Sequence, residues 1–483
     1  MVRIPVSRSL RRATAAALAI ALPALPLGAQ AASAIDVPTI KYERFVLPNG
    51  LVAILNENHA SPVVTVSIWY HVGSRNEVPG KTGLAHLFEH MMFEGSQNVA
   101  PGQHRTMIQS MGGAFNGNTY EDRTTYYDVV PSNELETALW MESDRMATLL
   151  TRVDQARLDA QREIVKNERR VRVDNVTFGA ANEITLAQLY PPGHPYNWIL
   201  FGSMADLSAA SLDDVKSFFR TYYTPNNATV VISGDFKPAE ARQMVHRYFG
   251  PIARGPAIAR STPPQITLSA EKRLVLEDAR ARLPQLRFAW PTIGNGHADL
   301  VALQILGTAL TLDRTARLTK LLVYDRQLAT SVNAANFDFE SPNNGIFQIA
   351  VTPRPNASLT EIERVVDSVI ASVKASPLSV KELQRVKSAD AVTTVTGLQT
   401  GFQRTELLGQ GEAFDKNPLS RFAVMTEFVK VTPADVQRVA GRYLTEGRMV
   451  LSMVPAGKLD QISKPDQPYT NVTPGRSTGA GGR

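Results

Sequence analysis

The chain has 483 residues, 43% hydrophobic and 20% charged, which is enough for two or more packed domains and too apolar for a disordered or collagen-like chain. It contains no cysteine, which excludes thiolate catalysis, disulfides, iron–sulfur centres and zinc–cysteine sites. Lys and Arg number 51 against 45 Asp and Glu, but Arg3, Arg8, Arg11 and Arg12 lie in the first twelve residues, so the excess of +6 is local and gives nucleic-acid binding no support.

Those arginines precede an apolar, alanine-rich run from Ala13 to Leu27 and then the small residues Gly28-Ala29-Gln30-Ala31. A charged start, a short apolar stretch and a small-x-small site are the three parts of a secretory signal peptide. Residues 1–31 are therefore expected to be removed, leaving a mature chain near +2 in the periplasm or outside the cell. The apolar run is shorter than the roughly 20 residues of a membrane span. Pro23 and Pro26 also interrupt it, so no stable membrane insertion is expected after processing.

Residues 37–250 read as a first domain. Val64, Val66, Ile68 and Tyr70 alternate with Thr65, Ser67 and Trp69, the period of a half-buried strand. Gly83 to Gly95 then reads as a helix, with Thr82 as its cap and Gly95 as its stop. At about 100° per residue, His86, Glu89 and His90 share one face of it. Two imidazoles one turn apart can hold a zinc ion, and a carboxylate beside them can accept a proton from a water that the metal activates. Burying three polar groups among Leu87, Phe88, Met91 and Met92 is costly unless they share a partner, and a metal is such a partner.

A catalytic zinc needs a third protein ligand. The charged helix from Asp154 to Arg172 offers Glu163 and Glu168. These lie about 140° apart around the helix, and spacing alone does not choose between them. Between the two helices, Gly112 to Thr119 is a glycine-rich run leading into a strand, and Ser132 to Leu150 reads as a further helix.

The proline-dense segment that begins at Gly250-Pro251 and continues through Pro263-Pro264 reads as an exposed linker, 251–270. Beyond it, residues 271–458 repeat the first domain. Ser211 to Thr224 is matched 221 positions later by Thr432 to Thr445, each a capped helix running into a β-rich segment. Leu286, Phe288 and Trp290 alternate as Val64 to Tyr70 do, and Leu359 to Lys374 is again helical. The pattern predicts an α+β fold: two homologous domains from an internal duplication, each a sheet with helices on one face. Where the first copy has its histidines, the second has the apolar run Leu300 to Leu306, so that copy is expected to be metal-free. Residues 464–483, rich in Pro, Gly, Ser and Thr, are expected to be disordered.

The helix from His86 to Gly95 resembles the inverted zinc motif of the pitrilysin-type metallopeptidases, the family of insulysin and the mitochondrial processing peptidase. The resemblance extends to Asn116-Gly117-Asn118-Thr119, to Thr124-Thr125-Tyr126-Tyr127 and to Ile164 through Arg170, and is to a two-domain bacterial form similar to the processing peptidase β subunit. It implies one zinc ion held by His86, His90 and Glu168, which lies 78 positions after His90, with Glu89 as general base. It implies that Ala114, Phe115 and Asn116 belong to an edge strand on which a peptide is laid by β-augmentation. Gln161 stands where the family often has an assisting glutamate.

The same resemblance implies that the two domains form half of a clamshell. Active members place an arginine and, seven residues later, a tyrosine from the metal-free half near the zinc; here Val323 and Thr330 stand at those places, with Tyr324 and Arg326 nearby. The implied function is a zinc endopeptidase acting on extended peptides or unfolded polypeptides, the catalytic subunit of a heterodimer. Its partner would be a homologous, metal-free subunit carrying the arginine–tyrosine pair. The alternative is a non-catalytic peptide-binding or scaffold member of the fold. The complete set of His86, Glu89, His90 and Glu168 argues against that, because a degenerate copy loses members of the set, as the second half has.

Overall fold

The computed structural model describes residues 40–473. The expected signal peptide, and residues 474–483 of the expected disordered tail, lie outside them. Two six-stranded sheets share the order of five strands and differ in the sixth, an edge strand that precedes those five in the first sheet and follows them in the second. The first comprises β1 (Glu43–Val46), β2 (Val52–Glu57), β3 (Val63–Tyr70), β4 (Ala114–Thr119), β5 (Thr124–Pro131) and β6 (Ala228–Gly234), in the order β1-β2-β6-β3-β5-β4. The second comprises β7 (Lys272–Asp278), β8 (Gln285–Thr292), β9 (Ala329–Asp338), β10 (Gly345–Pro353), β11 (Met449–Pro455) and β12 (Thr470–Asn471), in the order β12-β7-β11-β8-β10-β9. In each, one central pair is parallel, β2 with β6 and β7 with β11, and the remaining inner pairs are antiparallel.

The helices that matter in the first half are α1 (Leu84–Met91), α2 (Gln103–Ser110), α3 (Leu135–Thr148), α4 (Gln155–Arg169), α5 (Ala181–Leu189), α6 (Leu212–Tyr222) and α7 (Pro238–Phe249). Those of the second half are α8 (Leu300–Thr311), α9 (Leu359–Ala375), α10 (Gly401–Asp415) and α11 (Pro433–Tyr443). The repeated motif appears as two equivalent capped helices. Ser211 and Asp214 form a capping box on α6, and Thr432 and Asp435 form the same box on α11, each satisfying amides of the first turn.

The alternation in β3 predicts one buried face, yet seven of its eight residues are buried. Val64, Val66, Ile68 and Tyr70 pack on the domain's own helices, with Leu87 and Phe88 of α1 and Leu139 of α3. The opposite face, Ile54, Trp69 and Val231, is covered by Leu408 and Ala413 of α10, which comes from the second half. The exchange is reciprocal, because Ala181, Ile184 and Leu186 of α5 cover Leu274, Leu276, Ala289 and Leu451 on the back of the second sheet. Helices therefore lie on both faces of each sheet rather than one, the outer layer being lent by the other half. Gly409 permits the closest approach: a Cβ there would lie 2.3 Å from the Trp69 indole nitrogen.

The expected disorder from Lys464 onward is also corrected. Thr470 and Asn471 pair in parallel with Leu274 and Val275, and Val472 is buried. Lys464 joins Glu363, a fully buried carboxylate that also binds Arg273 and Arg448. Ion pairing and an open sheet edge hold a segment whose composition offers little to bury. Among the described residues no helix is long and apolar enough to cross a membrane.

Candidate metal centre

His86 and His90 project from successive turns of α1, and Glu168 comes from the last turn of α4, which packs alongside. One carboxylate oxygen of Glu168 is 3.6 Å from His86 Nε2 and 3.3 Å from His90 Nε2. The three donor atoms all lie within 4.8 Å of one another. Glu163, the other carboxylate left open by spacing, is exposed on the outer side of α4 and pairs with Lys166 at 2.8 Å. Gln161 is buried but turned aside, donating to Glu94 at 2.6 Å.

The environment prepares these groups for a cation. Burial, reinforced by the neighbouring His90, pulls His86 down to about 4, so that its imidazole is neutral at pH 7, the form that can ligate. Glu168 is held below the usual carboxylate range, first by its hydrogen bond with His90 and then by His86 and Arg172. Arg172 Nε lies 2.9 Å from its other oxygen. That arginine belongs to a π-helical turn, 170–174, that closes α4. Two imidazoles, that of His86 in its neutral form, and a carboxylate held low converge on one point, a donor set that fits a zinc ion.

Glu89 faces the sheet rather than the imidazoles' partner. Its Oε2 accepts a hydrogen bond from Thr119 Oγ1 at 2.7 Å, and burial pushes the carboxyl above its ordinary range in spite of that bond. Thr119 ends β4, the edge strand of the first sheet, on which Ala114, Phe115 and Asn116 also lie. Gly117 of that strand is pressed against Glu89, since a Cβ there would lie 3.2 Å from both Cγ and Oε1. Ala114 and Asn116 are exposed, whereas Phe115 is half-buried against Phe93 and His104.

Sequence reasoning missed several contributors. Phe201 lies edge-on to His86, with ring centres 5.0 Å apart. Thr82 does not cap α1: its hydroxyl and amide both donate to Asp206 Oδ2. The helix instead begins at Gly83, in the left-handed region at φ 85°, and the amides of Gly83 and Ala85 are accepted by Glu77. It also ends at Met91, before Gly95. A six-residue separation between Glu77 and Gly83 hides such a cap from motif reading.

A second buried group, His104, Asp128 and Glu142, has donor atoms within 4.8 Å of one another. There Arg145 already grips both oxygens of Glu142. Burial lowers His104, but Asp128 and Glu142 outweigh it and raise it overall. His104 Nε2 lies 3.6 Å from Asp128 and 3.9 Å from Glu142, so groups of both signs are gathered between α2, β5 and α3.

Val323 and Thr330 flank the start of β9. Val323 packs on the second core, and the Thr330 hydroxyl donates to the Thr352 carbonyl at 3.1 Å. Tyr324 is 54% exposed, while Arg326 is engaged by Glu361 at 2.9 Å. The second-half helix α8 carries no histidine or carboxylate.

Residues 52–187 match the family described as Insulinase (Peptidase family M16), and residues 209–389 match Peptidase M16 inactive domain. The zinc protease PqqE of Helicobacter pylori (strain ATCC 700392 / 26695) is 26% identical over 416 residues, covering 84% of this chain and 91% of that protein. A probable mitochondrial-processing peptidase subunit beta of Arabidopsis thaliana is 26% identical over 273 residues, 55% of this chain and 49% of that one. The crystal structure of a protease from Helicobacter pylori superposes with a TM-score of 0.80 at 24% identity, over 86% of this chain and 100% of that chain. The chain thus belongs to the pitrilysin/insulinase family of zinc proteases, its two α+β domains making one lobe of that family's clamshell.

Proposed function

We propose that this chain is a zinc endopeptidase that cleaves extended peptides or unfolded polypeptides, acting as the catalytic subunit of a heterodimer. The observation that carries the reading is the convergence of His86, His90 and Glu168 beside Glu89, under an edge strand. Those three residues would hold one zinc ion, which when bound supplies Lewis-acid polarisation of the scissile carbonyl and the attacking water. Glu89, steadied through Oε2 by Thr119, accepts the proton of the attacking water and passes it to the leaving amine. The open edge of β4 at Ala114, Phe115 and Asn116 pairs with the backbone of a peptide, and the glycine at 117 brings that peptide close to Glu89.

The partner follows from what the second half lacks. Neither Val323 nor Thr330 supplies a cation or a phenol, and one missing oxyanion donor costs about a hundredfold or more in rate. A homologous, metal-free subunit with the arginine–tyrosine pair would complete the site. Export to the periplasm or beyond rests on the first 31 residues, with their arginines, short apolar run and small-residue site.

The test is cleavage of an unstructured peptide by the purified chain, with and without a chelator, alone and with such a subunit. The expected result is chelator-sensitive cleavage that is slow alone and at least about a hundredfold faster in the complex. No cleavage under any condition would return the chain to the non-catalytic peptide-binding alternative. Full activity alone, abolished by Tyr324→Phe or Arg326→Ala, would remove the heterodimer.

A further inference from the structure

Besides packing side by side, the two helices that carry the metal donors are tied together through the backbone at the start of α1. Helix α1 has eight residues and a glycine at its N-cap, so no side chain at that position can accept its first amides. Glu77 reaches in from the preceding loop instead, its Oε2 accepting from Gly83 N at 2.9 Å and its Oε1 from Ala85 N at 2.7 Å. The side chain is 93% shielded, with 7% exposure. Gly202 packs against the same spot so closely that a Cβ on it would lie 2.3 Å from Gly83 N. The Gly202 carbonyl accepts in turn from Arg169, the neighbour of Glu168 on α4.

We propose that Glu77 is a positioning residue for the metal site: its carboxylate clamps the start of α1 against the loop that Arg169 ties to α4, and so aims His86 and His90 at Glu168. The proposal rests on the zinc reading above and deepens it. Two oxygens bridging two amides fix both the axial position and the rotation of a short helix, where a single-point cap would fix only one. Glu77 bonds backbone, so it acts on the donors only through where α1 is held.

The experiment uses the full chain in wild-type, Glu77→Ala, Glu77→Asp and Glu77→Gln forms. Zinc affinity is measured by chelator competition, and amide hydrogen exchange of residues 83–87 is measured in metal-free protein. Glu77→Ala, and Glu77→Asp with its carboxylate withdrawn by one methylene, are expected to bind zinc about tenfold or more weakly. Glu77→Gln keeps an acceptor in reach and is expected to lose less. In the metal-free variants, exchange protection should fall at residues 83–87 and stay unchanged in β3. Wild-type affinity and protection in all three variants would overturn the proposal, as would equal losses in Gln and Ala accompanied by lost protection throughout the sheet. If Glu77→Ala does not fold, the Asp and Gln forms carry the comparison. A wild-type chain that binds no zinc would refute the zinc reading, and the exchange measurement would still decide whether Glu77 holds α1.

Discussion

A single methyl group placed on Gly117 should slow catalysis while leaving metal binding intact. Its Cβ would lie 3.2 Å from Cγ and Oε1 of Glu89 and 3.1 Å from Cδ1 of Tyr126. Ordinary carbon contacts settle at about 3.5–4.0 Å, so something must retreat by roughly 0.3–0.9 Å. Tyr126 is fully buried and its hydroxyl meets that of Tyr223, so it is poorly placed to give way. Glu89 or β4 must move, and the two are joined through Thr119. Since a misplacement of about 1 Å can cost on the order of 10²-fold, half of that predicts about a tenfold loss in kcat for Gly117→Ala, near 1.4 kcal/mol of barrier. Gly117→Val, with two more methyls, should lose about a hundredfold. The assay is kcat and KM on an unstructured peptide, with zinc per chain measured in parallel. Wild-type kcat in Gly117→Val would refute the claim that Glu89 works against this strand.

The remaining predictions concern other parts of the structure. Gly409→Ala drives a Cβ into the buried Trp69 indole and should destabilise the chain by about 1–3 kcal/mol, read as a lower Tm together with a shift in tryptophan fluorescence. Burial pushes Glu363 up, but hydrogen bonds from Arg273, Lys464 and Ser463 outweigh it and hold the carboxyl at about 2. Because that value lies below the unfolded one, its stabilisation is complete above about pH 4.5 and is lost as pH falls toward 2. Lys464→Ala should therefore move acid unfolding to higher pH, followed by circular dichroism. Glu168→Ala should weaken zinc binding by tenfold or more, measured by chelator competition, while Glu163→Ala should leave it unchanged; the reverse would exchange the two carboxylates' roles.

Much of this was legible in the sequence because the signals were local. The repeat at a separation of 221 carried its own capping residues, and both boxes are formed. The face of α1 followed from helical geometry alone. The choice between Glu163 and Glu168 did not, since both lie on one charged helix and only the packing of α4 against α1 turns one of them inward. The exchanged helices were invisible for a related reason. Alternation in β3 marks two faces but cannot tell that the polar-looking one, with Thr65, Ser67 and Trp69, is covered by a helix more than 300 residues away. Composition misjudged residues 464–473 because Lys464 is held by charge and β12 by backbone pairing, neither of which needs apolar side chains.

The central claim is that Glu89 handles protons and does not ligate. Glu89→Gln keeps the shape of the side chain and an acceptor for Thr119 while removing the base. Metal analysis and peptide cleavage on the same sample should give one zinc per chain and a rate at least about a hundredfold below wild type. A variant that loses its zinc, or one that holds it and cleaves at the wild-type rate, would contradict the account.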